Sequence, residues 1–511
     1  MAARTRREIH SLGDTWNDTI HWYAMAIREL KKRKATEKTS WLYLAAVHNF
    51  DSSLWIKFKY LTRTTPLPLQ AEQHKYWQQC QHRTWYFFPW HRAYLMTFED
   101  IVRDAIHSLK GPADTWALPY WNYSDTDIDQ ANDVPVAFLQ KKMPDGSDNP
   151  LFVEARFGAS VPPDLVSFDD RFGDHDFEGL DHGPNVGIGG PRTGFEPHGK
   201  AEGVIEAGIH DMVHGAVGGR DASGQGGLMS NTATAGLDPI FWLHHANIDR
   251  IWEVWLKRDN QNLNPTDPDW LNGPTVPRAF FLYGADGKDK PSNPKDILSI
   301  TALGYTYDDL SDPLKGKKRR LKRLETFEAR LQNHEFSSAP ESIGMGKPPV
   351  SELLGSNDKE IALGPEAVRS RVKLAPAPLA TLSRSFTKDL MEAHTPGEPD
   401  RVFLTLQNIR GNDGSGIFDV MLYPPGAPSG AAGIKAGSIS LFGLEQASQP
   451  SGDQAGNGLN KTIEITKAVD AMKLDRARAE ALDVEVVARS DVRTSDDIKV
   501  GLITVHRVAG Q

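Results

Sequence analysis

The stretch His82-Arg-Thr-Trp-Tyr-Phe-Phe-Pro-Trp-His91-Arg92-Ala-Tyr-Leu-Met-Thr-Phe-Glu99 is where the reading of the fold begins. Proline needs no backbone N–H in the first turn of a helix, so Pro89 predicts a helix over about 90–107. His82 and His91 are nine residues apart, half a turn out of phase, and do not share one helical face. His82 therefore belongs to a loop or earlier segment, and His91 to the first helical turn. Upstream, His48 lies on a helical stretch over 40–60, and a further helix is expected over 14–30 with Asp14 as its cap. Downstream, His210-Asp211-Met-Val-His214 places two imidazoles one turn apart on a helix expected over 203–217. Asp238-Pro239-Ile-Phe241-Trp-Leu-His-His245-Ala-Asn-Ile-Asp249 opens a helix over 239–256, with Asp238 at the N-cap and Pro239 at N1. Loops rich in Gly, Pro and Asp cover 124–200 and 215–237. Loops of that length in a compact domain are usually functional.

Three histidines thus precede the first long loop and three follow it. One histidine among tryptophans and phenylalanines is ordinarily a hydrogen-bonded core residue, and an i, i+4 pair alone says little. Together the six divide into two trios, each able to fill a three-histidine site with an open coordination position. Imidazole suits copper, zinc, iron and nickel. A three-histidine zinc hydrolase needs one trio and leaves the other without a purpose. Asp211, where a zinc protease has Glu, excludes the HExxH motif. His244 points about 100° away from His245 on the helix, so it is not expected to share its role.

Composition bounds the rest. At 511 residues the chain suggests two to four domains. Lys plus Arg number 58 and Asp plus Glu 67, and the resulting −9 disfavours nucleic acid as a partner. No run reaches the ~18 apolar residues of a membrane helix. The basic start, residues 1–10, has no apolar run after it, so a secretory signal is not expected. The expected location is cytoplasmic, or exported without a recognisable signal peptide. The lone cysteine, Cys80, excludes internal disulfides and thiolate clusters. The basic run 315–323 reads as a solvated helix face, and 337–380, rich in Pro, Ser, Gly and Ala, as a linker or extended wrap. From about 381 short β-branched segments separated by turns take over: 401–407, 417–423, 437–443, 461–466, 482–488 and 498–506. That is the pattern of a β-sandwich.

The segments around His82–Glu99 and Asp238–Asp249 resemble the copper-A and copper-B signatures of the tyrosinase and polyphenol oxidase family. The resemblance implies a mainly α catalytic domain over 1–335, built on a four-helix-bundle dicopper core with long loops. A linker over 336–380 and an all-β sandwich over 381–511 that covers the site would follow. It implies two copper ions, His48, His82 and His91 holding one and His210, His214 and His245 the other, with O2 as co-substrate. It also implies a thioether between Cys80 and His82. Glu206, acting through a water shared with Asp211, is the expected catalytic base. Asn231 or Thr232 is expected to reach over the first copper, and Tyr423 is the candidate plug from the sandwich. Tyr305-Thr-Tyr307 resembles the tyrosine motif that closes the catalytic domain, together with an early arginine. The implied activity is ortho-hydroxylation of tyrosine-like monophenols and oxidation of o-diphenols to o-quinones, latent until the covering domain moves or is cleaved. A catechol oxidase without monophenolase activity and an oxygen-binding haemocyanin-like protein share the same signatures. Small phenols are the expected partners, with neither nucleic acid nor membrane, and a homo-oligomer is compatible with the chain.

Overall fold

A computed structural model describes residues 3–168, 172, 174–179, 184, 186–193, 201–273, 280–314, 351–375, 400–428, 430–450, 458–472 and 480–509. The basic run 315–323 lies outside the described residues, as does the first part of the expected linker.

Five helices frame the N-terminal part: α1 (Asp18–Lys32), α2 (Trp41–His48), α3 (Phe87–Ser108), α4 (Asp211–Gly218) and α5 (Ile240–Arg258). The cap of α1 is Asn17, whose side chain accepts from Ile20 N–H at 3.2 Å, rather than Asp14. Asn17 has the extended backbone that lets a side-chain oxygen turn back on the first helical N–H groups, and Asp14 sits a turn too early. The stretch 40–60 is two helices: Asn49 is extended, and Asp51 caps a second short one, Ser52–Lys57. Pro89 is the third residue of α3, so its missing N–H is not needed. The α5 helix begins one residue later than expected, yet the Asp238 carboxylate still accepts from Ile240 N–H at 3.1 Å. A single π-turn, Glu206–His210, leads into α4.

Aromatic packing joins α3 to α5. Trp242 stacks on Phe98 with ring centres 3.6 Å apart, and Phe88 on Trp252 at 5.4 Å. Such pairs add about 0.5–1.5 kcal/mol each beyond the area they bury. Strand β1 (Arg4–Arg6) pairs in parallel with β2 (Tyr305–Tyr307), bringing the start of the chain to the end of the helical part. There Arg6, fully buried, meets Glu99 at 2.6 Å, Asp249 at 3.2 Å and the Tyr307 hydroxyl at 2.9 Å. Tyr305 lies under its guanidinium, 4.0 Å from the ring centre. The tyrosine motif and its early arginine are thus one buried network.

Among the described residues the C-terminal part is an antiparallel sheet of nine strands: β3 (Ser351–Ser356), β4 (Ile361–Leu363), β5 (Val368–Leu374), β6 (Arg401–Arg410), β7 (Ile417–Tyr423), β8 (Ile434–Ser440), β9 (Leu459–Glu464), β10 (Ala481–Ala488) and β11 (Ile498–Val508). Their order is β8-β7-β10-β5-β3-β11-β6-β9, with β4 on β11. The sheet curls until its edge strands meet: a Cβ on Gly437 of β8 would touch Ile463 of β9. Each of the six expected segments overlaps a strand. The stretch expected as linker supplies three more, β3 to β5, because Leu354, Leu363, Val372 and Leu374 give it apolar positions to bury in the same core.

Candidate metal centre

The six histidines converge from four helices and a loop. His48 ends α2, His91 lies on α3, His214 on α4 and His245 on α5. His210 closes the π-turn, and His82 precedes α3. All are buried. One nitrogen from each of His48, His82 and His91, with Cys80 Sγ, forms a set whose atoms lie within 4.8 Å of one another. His210, His214, His244 and His245 form a second such set. The sets abut, with the His91 and His245 rings stacked at 4.3 Å.

Second partners aim most of the rings. Nδ1 of His48 donates to Thr232 O at 3.0 Å, Nδ1 of His91 to Phe87 O at 2.7 Å, and Nδ1 of His214 to Met229 O at 2.8 Å. Nδ1 of His210 donates to Asp211 Oδ1 at 2.8 Å. A carbonyl or carboxylate only accepts, so each Nδ1 carries the proton and each Nε2 presents a lone pair. His245 is held instead by stacking on His91 and by Phe241, 4.3 Å away. Nε2 of His48, His210, His214 and His245 has no hydrogen-bond partner among the described residues although buried. Buried nitrogens are rarely left so, and converging lone pairs are what a metal ion would satisfy. Burial keeps these imidazoles neutral: it lowers His48 to about 4 and holds His91, His210, His214 and His245 well below the usual range. Neutral imidazole is the ligating form. The donor sets fit copper.

His244 lies close enough to join the second set as well. A 100° turn separates its Cβ from that of His245, but the side chain is long enough to swing back. Its Nδ1 lies 3.1 Å from the Tyr123 hydroxyl, and its ring stacks 5.2 Å from that of His210. Cys80 Sγ lies 3.5 Å from Nδ1 and 3.6 Å from Nε2 of His82, and 3.3 Å from Nε2 of His91. The sulfur is thus nearly equidistant from the two ring nitrogens of His82.

The carboxylates follow. Glu206 Oε1 accepts Arg83 N–H at 2.7 Å, and its Oε2 is buried without a partner among the described residues. Burial, then Glu202 and Asp211, push its carboxyl well above the usual range. Both oxygens of Asp211 are engaged: Oδ1 holds His210, and Oδ2 accepts from Lys461 Nζ at 2.7 Å. Thr232 lines the same crevice as His82 and Glu206, and its carbonyl aims His48. Asn231 turns instead to the sheet domain, donating to Glu445 at 2.6 Å and accepting from Gln446 at 2.9 Å.

The sheet covers this centre, but not through Tyr423. That hydroxyl donates to Glu485 at 2.7 Å and its ring lies under Arg369, within the sheet domain. Phe442, just beyond β8, is the side chain at the site. Its ring stacks on His214 at 3.9 Å and meets His210 and His82 at 5.7 and 5.9 Å. Nothing in Gly-Ser-Ile-Ser-Leu-Phe442-Gly marks it in sequence. Lys461 left a signal: β9 alternates, and a lysine stands at a buried position between Leu459 and Ile463.

A family model described as the common central domain of tyrosinase matches residues 38–163 and 185–258, and one described as a domain of unknown function matches 350–508. Tyrosinase HcTyr1 of Hahella sp. (strain CCB-MM4) is 30% identical over 513 residues, spanning 98% of this chain and 99% of its own. A chloroplastic polyphenol oxidase of Malus domestica is 30% identical over 305 residues, 55% of this chain and 46% of the relative. The solved structure of latent apple tyrosinase shares the fold over 100% of this chain and 98% of its own, with TM-score 0.58 and 20% identity.

Proposed function

Because this chain belongs to the tyrosinase family, we propose that it uses O2 to hydroxylate monophenols at the ortho position and to oxidise o-diphenols to o-quinones, held latent by its sheet domain. It is a tyrosinase-family oxidase whose cofactor is a type 3 dicopper centre. The observation that carries the finer reading is Phe442, whose ring rests on His214 beside the two histidine sets, where a phenol ring would have to lie. His48, His82 and His91 hold one ion in this reading, and His210, His214 and His245 the other. When bound, the copper pair supplies the redox chemistry that joins O2 to the phenol.

The chain's own groups do the rest. The His214 face and surrounding phenylalanines pack the substrate ring once Phe442 has left. Glu206 Oε2, facing the crevice, takes the phenolic proton; Oε1 stays on Arg83 N–H and fixes the carboxylate. The ionised carboxylate is the form that accepts a proton, and the charge of a copper pair bound nearby would favour that form. Asp211 fixes the His210 tautomer. Cys80 joins His82 through Sγ–Cε1, losing one hydrogen from each atom in a two-electron oxidation for which O2 is the acceptor.

The test loads the full-length chain with copper and measures metal content together with oxidation of a simple monophenol and its catechol. Measurements are repeated after cleavage within 315–350. Two coppers per chain, oxidation of both substrates and a rise on cleavage are expected. Oxidation of the catechol alone removes the monophenolase reading, and unchanged rates remove latency. A mass lower by two hydrogen atoms in the peptide containing Cys80 and His82 checks the thioether.

A further inference from the structure

The Lys461 ammonium is 1% exposed, between Glu202 Oε2 at 2.5 Å and Asp211 Oδ2 at 2.7 Å. A lysine on the inward face of a strand pays a desolvation penalty that only such carboxylates offset. Burial works to lower its pKa, and Asp211 and Glu202 outweigh that and hold the ammonium charged. Lys461 and Phe442 belong to the sheet domain, and their partners belong to the helical part. Phe442 lines one crevice with Arg83, Glu202, Glu206 and Asp211. Glu206 Oε2, buried and unpartnered among the described residues, belongs to it too. Glu202 and Asp211 face the Lys461 ammonium, with Arg83 in the same crevice. Arg83 is part of the helical domain and stays, whereas Lys461 leaves with the sheet. Opening the site therefore frees a ring seat on His214 and an ammonium seat on Glu202 and Asp211 together.

We propose that Phe442 and Lys461 jointly occupy the places of an arylalkylammonium substrate, so that the opened site selects phenols and catechols carrying a protonated amine on a short side chain, with Glu202 as the residue that sets this specificity. The proposal rests on the oxidase reading above. A neutral alkylphenol fills the ring seat alone. A phenol bearing a carboxylate brings like charge to Glu202 and Asp211 and is rejected.

The experiment uses the full-length chain with Phe442→Ala and Lys461→Ala together. Titration calorimetry compares 2-phenylethylammonium with 3-phenylpropionate. The ammonium should bind about tenfold tighter or better, the size a charge-assisted hydrogen bond supplies. Adding Glu202→Gln should bring the two within about twofold of each other. Equal binding before that change, or preference for the carboxylate, overturns the proposal. Lys461→Ala alone gives a second reading should the double variant fold poorly: n-butylammonium should raise its Tm and butyrate should not, and equal effects overturn the proposal. In turnover, the ratio of kcat/KM for dopamine over 4-ethylcatechol should fall about tenfold with Glu202→Gln; an unchanged ratio counts against it. If neither catechol is oxidised, the oxidase reading fails, while the ammonium preference in binding still decides the seat.

Discussion

Each Nδ1 that donates to a carbonyl or carboxylate fixes where the opposite Nε2 points, so single atoms at this centre have separable duties. Glu206 shows this most directly. Replacing it by Gln keeps the shape and removes the proposed proton acceptor. Monophenol turnover should fall roughly 100-fold, while a catechol, whose more acidic hydroxyl depends less on the base, should lose far less. Steady-state rates on the matched pair check this, and equal losses refute the role. Arg6 has a structural duty. Arg6→Met should cost about 3–5 kcal/mol in denaturant unfolding, because it leaves Glu99 and Asp249 facing each other with less compensating charge. A loss under about 1 kcal/mol would mean the network contributes little. At this scale the sequence was informative where chemistry demands a residue type at a spacing. The i, i+4 pair of His210 and His214 was visible; Lys461, a charge at an inward strand position, was there to be read and was missed. Phe442 was not visible, because an aromatic at the end of a strand has the same local pattern whether it fills a core or a catalytic seat.

The proposed latency rests on the contacts between sheet and helices, from Arg220 on Asp413 and Arg401 on Asp174 to Phe442 and Lys461 at the site. Phe442→Ala in the full chain should raise catechol oxidation at least about tenfold without cleavage, since the ring is removed and the Lys461 anchor stays. No increase would place the block elsewhere. The short helix Leu444–Ser448 carries Glu445, to which Asn231 donates. Burial foremost, with Asp413 and Asp51 adding, raises its carboxyl to about 7, against the pull of Gly414 N–H and Asn231. A raised carboxyl holds its proton in the docked state, so this group's contribution is complete below about 4.5 and is lost as pH rises through about 7. Docking should therefore weaken from pH 5 to 8, read as rising basal activity or faster proteolysis, and Glu445→Gln should flatten that dependence. The elements themselves were legible from periodicity, Pro and Asp signals. The break of 40–60 at Asn49 and the one-residue offset of α5 were not, because both are settled by cap geometry.

Ligands drawn from four helices and a loop make copper part of the stability of the whole molecule. Metal bound far above its dissociation constant should add about 4 kcal/mol, so the copper-loaded chain should unfold at a clearly higher Tm than the chelated one. Equal Tm values would mean the ions do not bridge these elements. The sequence by itself determined the helical part, the sheet that follows and the two histidine trios; copper as their metal came only with the resemblance to a family. Elements and trios follow from period, spacing and donor chemistry, which are local properties. Only the tertiary structure decided that 351–374 joins the sheet, that His244 swings into the second set, that Tyr423 stays within the sheet domain, and that Phe442 and Lys461 enter the site. Each of those depends on which surfaces meet across hundreds of residues, and no local pattern encodes that meeting.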